Sequence, residues 1–210
     1  PFLFFACRAS PFVLKIFYSV LFHMPGRGSF KNFPTKSRPV FKKFADVRMM
    51  AMFHVENPQG TKKEKYDLVV KQLIALTEDE PDKIANLSNA AALLNQFLDR
   101  VNWVGFYFAS GDELVLGPFQ GLPACVRLPY GKGVCGTAWK EKRVLRVADV
   151  QQFSGHIACD AASQSEIVVP LMKNGEVVGV LDIDSPEKNR FDAEDEAGLA
   201  AFAAALEKVL

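Results

Sequence analysis

The sequence predicts an α+β domain: an antiparallel sheet of about six strands, helices packed on one of its faces, and a pocket roofed by loops on the other. Three observations carry this. Apolar residues recur at helical spacing between Glu64 and about residue 99. The period changes to two at Trp103-Val104-Gly105-Phe106-Tyr107-Phe108 and again at residues 176–184. Short turns at Gly111-Asp112 and Asn174-Gly175 join strand-like runs into antiparallel hairpins.

Each element has its own warrant. Tyr66, Val69, Val70, Leu73 and Ile74 form a helical stripe that breaks at Thr77-Glu78-Asp79-Glu80. Pro81 suits the first turn of a second helix, with acids on its N-terminal side favouring the dipole. Ile84, Leu87, Ala91, Leu94 and Leu98 make its apolar stripe. Residues 103–108 and 113–119 read as a hairpin closed at Gly111-Asp112. Alternation puts Trp103, Gly105 and Tyr107 on one face, and Phe106 and Phe108 on the other, toward the helices. Glycines and prolines then punctuate a loop-rich region, where residues 125–128 and 144–147 read as short strands. Residues 134–140 read as a short helix with Cys135 near its start, a placement that lowers a thiol pKa and favours the thiolate. Gly131-Lys132-Gly133 without a full GxxxxGK[ST] pattern does not make a phosphate loop. Residues 155–166 lack either period and read as a polar loop, with Glu166 just ahead of a buried strand at 167–172. Asn174-Gly175 is a two-residue hairpin turn, and Asp192 caps a last helix bearing Leu199, Phe202, Ala203, Leu206 and Leu210.

Composition narrows the function classes. The 210 residues are 49% hydrophobic, enough for a real core, and the net charge of +1 argues against a nucleic-acid partner. Residues 1–45 carry eight basic side chains and no acid, which leaves 17 basic against 24 acidic in the rest. Residues 1–60 therefore read as a basic N-terminal extension, either disordered or an organelle transit segment, ahead of a folded domain at 61–210. The apolar run at 12–22 is too short to span a bilayer. No membrane association is expected, and the location expected is cytoplasmic, or an organelle if the extension is a transit segment. Of four cysteines, Cys125, Cys135 and Cys159 fall within 35 residues of one another, without a CxxC pair. With His156 they could ligate zinc, but the spacing is a poor match for a structural site, and no metal is expected. The thiol-redox alternative needs one accessible thiolate and a second thiol within reach.

Asp182 and Asp184 are two apart on a strand, so both carboxylates share a face. Glu166, ahead of the paired strand, converges on the same place. Three acids around a pocket suit a zwitterion with an amine. Trp103 and Tyr107 would add an apolar wall for a methyl or thioether group.

Several ordered motifs carry a family resemblance: residues 102–107 (NWVGFY), 116–121 (LGPFQG), 124–125 (AC), 133–138 (GVCGTA), 155–163 (GHIACDAAS), 165–170 (SEIVVP) and 179–185 (GVLDIDS). The stretch from about 62 to 210 resembles the free methionine-(R)-sulfoxide reductases, single GAF-domain enzymes. The resemblance implies reduction of free L-methionine (R)-sulfoxide to methionine, with Cys159 as the attacking thiol and Cys125 or Cys135 resolving its sulfenic acid. It implies that Glu166, Asp182 and Asp184 hold the substrate's polar groups and protonate the departing oxygen, while Trp103 and Tyr107 line the methyl pocket. It also implies no bound cofactor, thioredoxin as external reductant, and a homodimer. The alternative is a GAF-type module without catalysis that binds a small ligand or reports redox state. Three thiols beside three acids argue against it, because a binding module needs no resolving thiol.

Overall fold

The computed structural model describes residues 60–210, so the expected extension at 1–60 lies, but for Gly60, outside the described residues. The elements run α1 (Lys62–Thr77), α2 (Lys83–Phe97), β1 (Trp103–Ser110), β2 (Glu113–Gly121), β3 (Arg127–Pro129), α3 (Gly133–Glu141), β4 (Leu145–Val147), β5 (Ser165–Lys173), β6 (Glu176–Ser185) and α4 (Ala193–Leu206). Single 3-10 turns occupy Val150–Gln152 and Glu207–Val209. The six strands form one antiparallel sheet in the order β3-β2-β1-β6-β5-β4. No described helix is long and apolar enough to cross a membrane.

Local chemistry sets the helix ends. Thr61 and Glu64 make a reciprocal capping box, which starts α1 two residues before the apolar stripe alone would place it. Asp82 caps α2 by accepting from the Ala85 amide at 2.9 Å. Pro81 therefore stands outside the helix, ahead of the cap, and not in its first turn. The α2 stripe is also narrower than expected. Leu87, Ala90, Ala91, Leu94 and Leu98 are buried, whereas Ile84, one turn earlier, is 69% exposed. Asp192 caps α4 and shares a second capping box with Asp195.

Asn174 and Gly175 both have positive φ (53° and 81°), the twist a two-residue hairpin needs, and they close β5 onto β6. β6 pairs with β1 on its other side, where Asp182 faces Gly105, Asp184 faces Trp103 and Val180 faces Tyr107. On β5, Glu166 faces Asp184 and Val168 faces Asp182. Val104, Phe106, Ile167, Val169, Leu171, Leu181 and Ile183 therefore point the other way, into a core shared with α1, α2 and α4. Phe106 is fully buried there and Phe108 partly so, as the alternation predicts. A second, smaller core on the opposite face gathers Trp103, Tyr107, Leu128, Val134, Cys135, Ala138, Val168 and Val180. That core includes α3, so the helices are not confined to one face. The short α3 packs on the pocket side and forms part of its wall.

One ionic node ties the helical layer together. Arg190 donates to the Asp99 carbonyl and carboxylate (2.9 and 2.6 Å) and to Asp195 (3.1 Å). Asp195, fully buried, also accepts from the Tyr66 hydroxyl at 2.8 Å and from Lys62 at 2.6 Å. Every charge in the node has a partner, which is the condition for burying it. Asp195→Ala should therefore cost about 3–5 kcal/mol in urea unfolding, because Arg190 would be left buried and half-paired. Asp67→Ala, which breaks only the exposed Lys63 pair on α1, should leave the midpoint unchanged.

Candidate active site

Strand register delivers the acids. Glu166 is the second residue of β5, not a residue ahead of it, and lies beside Asp184 across the β5–β6 pair. With Asp182 it projects onto the face opposite the helices. Glycine at 105, across from Asp182, is required, because a Cβ there would overlap the Trp103 ring and Phe119. α3 brings Cys135 down over the acids, with its Sγ 3.7 Å from Glu166 Oε1. His156, from the loop ahead of β5, places Nε2 at 3.9 Å from Glu166 Oε2. Leu128, Lys132, Ile157, Cys159, Asp160, Ser163 and Asp184 complete the cleft. The free space left among these groups is about 30 Å³, room for one water-sized species.

Cys159 borders this cleft and is joined by a disulfide to Cys125, which lies between β2 and β3. That pairing selects between the two possible partners of Cys159. Cys135 stays a buried free thiol. The disulfide also bears on the Cys₃His zinc alternative, since two of its four ligands are spent in an S–S bond.

Both halves of the disulfide sit on loops pinned by side chains of β1 and its approach. The Tyr107 hydroxyl donates to the Cys125 carbonyl at 3.0 Å, and Trp103 Nε1 donates to the Leu122 carbonyl at 3.2 Å. Trp103 stacks between Tyr107 and Phe119. The two aromatics lie on the face that alternation predicts, but they are buried beside the cleft and do not border it in this disulfide form. Asn102 Nδ2 donates to Asp160 Oδ2 (2.9 Å) and to Ser163 Oγ (3.0 Å), latching the Cys159 loop to the start of β1. Asp160 Oδ1 accepts from the Ala162 amide, which closes a turn right after Cys159. Sequence reasoning assigned no role to Asn102, Asp160 or Ser163. Their only signal was that all three lie in the motifs that carry the resemblance.

The cleft holds its protons tightly. Burial pushes the Glu166 carboxyl well above the ordinary range, and the negative charges of Asp182 and Asp184 push it further. Burial is the larger cause. Asp184 is raised well above its usual value by burial and by Asp182. Asp182 is raised to about 6 by burial, against the contacts to Cys135 and Glu166 that favour its charged form. The expected Cys135 thiolate is not found. Burial and the charges of Asp182 and Glu166 push that thiol well above the ordinary range, outweighing the partial positive charge of the helix start. Burial lowers the His156 pKa, which disfavours an imidazolium beside Glu166.

The three raised carboxyls make folding prefer the protonated acids. Stability from these groups is full below about pH 4 and is lost as pH rises through the folded value near 6 for Asp182. The melting temperature of the disulfide form should therefore fall from about pH 4 to 7, and Asp182→Asn should flatten that fall. An unchanged pH slope in the variant would remove Asp182 as its source.

Comparison with known proteins places this architecture. The GAF domain family matches residues 85–210. Protein YtsP of Bacillus subtilis is 63% identical over 76% of this chain and 99% of its own length. The free methionine-R-sulfoxide reductase of Escherichia coli is 53% identical over 71% of this chain and 90% of its own. The X-ray structure of free methionine-R-sulfoxide reductase from Neisseria meningitidis in complex with its substrate superposes with a TM-score of 0.70 at 45% identity, covering 72% of this chain and 92% of that one. With its GAF fold and a pair of cysteines joined at the edge of a cleft that holds Glu166, Asp182 and Asp184, the chain belongs to the free methionine-(R)-sulfoxide reductase family.

Proposed function

We propose that this reductase removes the oxygen of free L-methionine (R)-sulfoxide through Cys159, with Glu166 as proton donor and Cys125 as the resolving thiol. The observation that carries the reading is the Cys125–Cys159 disulfide at the edge of a cleft walled by Glu166, Asp182 and Asp184. In the reduced enzyme the Cys159 thiolate attacks the sulfoxide sulfur. The oxygen takes a proton from Glu166 and ends on Cys159 as a sulfenic acid. The S–O bond to the substrate breaks, and methionine leaves with its sulfur lone pair restored. The Cys125 thiol then attacks the sulfenic sulfur, the S–S bond forms, and water departs. One sulfoxide and two thiols give one methionine, one disulfide and one water. An external dithiol, for which we propose thioredoxin, restores the thiols by exchange.

The buried acids suit both ends of this chemistry. A carboxyl that stays protonated near neutrality can donate to a developing oxyanion. The substrate ammonium, entering beside Asp182 and Asp184, would supply the positive charge that lets them ionise. Lys132, exposed at the rim, offers a cation for the α-carboxylate. A site that reads both termini rejects methionine sulfoxide within a peptide. Because the space in the disulfide form is about 30 Å³, the substrate enters only after reduction frees the Cys159 loop. Withdrawal of that loop extends the cleft toward Trp103 and Tyr107, which then meet the S-methyl group.

The test is methionine release with a thioredoxin system, resolved by epimer. Turnover of the free R epimer, with none of the S epimer or of a peptide-bound substrate, is the expected result. No release from folded, reduced protein would sink the reading. Cys159→Ser should release no methionine. Cys125→Ser should release about one per chain without recycling, and Glu166→Gln should lose about 10²- to 10⁴-fold in kcat.

A further inference from the structure

The reaction proposed above leaves one buried thiol unused. Cys135 sits under the cleft with no role as nucleophile or resolver, and its Sγ, a Glu166 carboxylate oxygen and an Asp182 carboxylate oxygen lie within 4.8 Å of one another. Asp182 is only 7% exposed, yet its Oδ1 has no hydrogen-bond donor. A buried polar atom in that condition is costly unless something is bound against it.

We propose that Cys135, Glu166 and Asp182 form a binding site for one divalent transition-metal ion of the zinc type in the disulfide form of the protein. Three features fit. One sulfur and two carboxylates are donors that a borderline-soft, four-coordinate ion takes, with water in the fourth position. The 3.7 Å between Cys135 Sγ and Glu166 Oε1 matches two ligands bound to one ion at about 2.3 and 2.0 Å in tetrahedral geometry. The free space of about 30 Å³ is too small for an amino acid but adequate for a single ion. Binding displaces the protons from the Cys135 thiol and from the carboxyls, so the ion replaces them as the positive charge among the acids. Asp182 belongs both to this site and to the proposed ammonium subsite, so a bound ion competes there with substrate. That consequence rests on the functional reading above, but the site does not.

The experiment uses the full chain with Cys7→Ser, oxidised so that Cys135 is the single free thiol, and Co²⁺ alone as the probe. Supporting results are a saturable one-to-one titration with a thiolate-to-cobalt charge-transfer band, and its displacement by Zn²⁺. Cys135→Ser should abolish the band. Asp182→Asn should weaken binding by more than the roughly 10-fold that changes outside the ligand shell already cost. No band, or a band with the same affinity in Asp182→Asn and Glu166→Gln, would overturn the site and leave only an ion on a lone thiol. The readout is spectroscopic and needs no turnover. Failure here leaves the reductase assignment standing, and failure of the activity assay leaves the metal site standing.

Discussion

β6 is the strand on which the other parts of the molecule depend. It is paired along both edges, with β1 on one side and β5 on the other. Because side chains alternate strictly along a strand, this double pairing decides in one step which residues enter the helical core and which face the cleft. Leu181 and Ile183 go one way, and Asp182 and Asp184 go the other. A slip of one residue would drive two carboxyls into the apolar layer under α1, α2 and α4. That penalty, several kcal/mol for each unpaired charge, is what makes the register unique. The Asn174-Gly175 turn adds a local lock by fixing where β5 and β6 begin to pair.

The two faces of the sheet solve the problem of buried charge differently. On the helical side, Arg190, Lys62, Asp99, Asp192, Asp195 and the Tyr66 hydroxyl form a node in which acids and bases satisfy one another. On the cleft side, three carboxyls and a thiol meet without a fixed cation, and burial shifts each of them toward its protonated form. Those protons are the resource of the site. They can be given to an oxygen, or exchanged for an ammonium or a metal ion.

Most of the fold was legible because it follows from period and turn chemistry. The alternation in 103–108 and 176–184 and the Asn174-Gly175 turn specify the hairpins, and the cap at Asp192 is a local signal. The errors came where tertiary context overrides local rules. Ile84 fits the helical stripe by spacing, but whether a first-turn residue is covered depends on what lies opposite. Cys135 was expected to be acidic from its helix position, a contribution worth at most a few kcal/mol, and burial among acids reverses it. Convergence of Glu166 with Asp182 and Asp184 could be inferred from strand alternation. The pairing of Cys125 rather than Cys135 with Cys159 could not, because a spacing of 34 or 24 residues says nothing about which loop folds over which. The latch from Asn102 to Asp160 and Ser163 is equally non-local.

The latch and the disulfide differ in kind, and the difference orders the proposed cycle. Hydrogen bonds such as those from Asn102 contribute about 1–3 kcal/mol each at most, so thermal motion can open them. The S–S bond opens only by exchange with another thiol. While it is intact, the Cys159 loop stays tied to the β2–β3 connection over a cleft of about 30 Å³. Once it is reduced, the latch and its neighbouring hydrogen bonds are what hold the loop, and these open without bond exchange. In the proposed cycle substrate would therefore bind the reduced enzyme, and the external dithiol would meet an enzyme from which methionine has already gone. Each oxidation state would exclude the reaction that belongs to the other, so the acids of the cleft would not be asked to hold substrate while the thiols are spent.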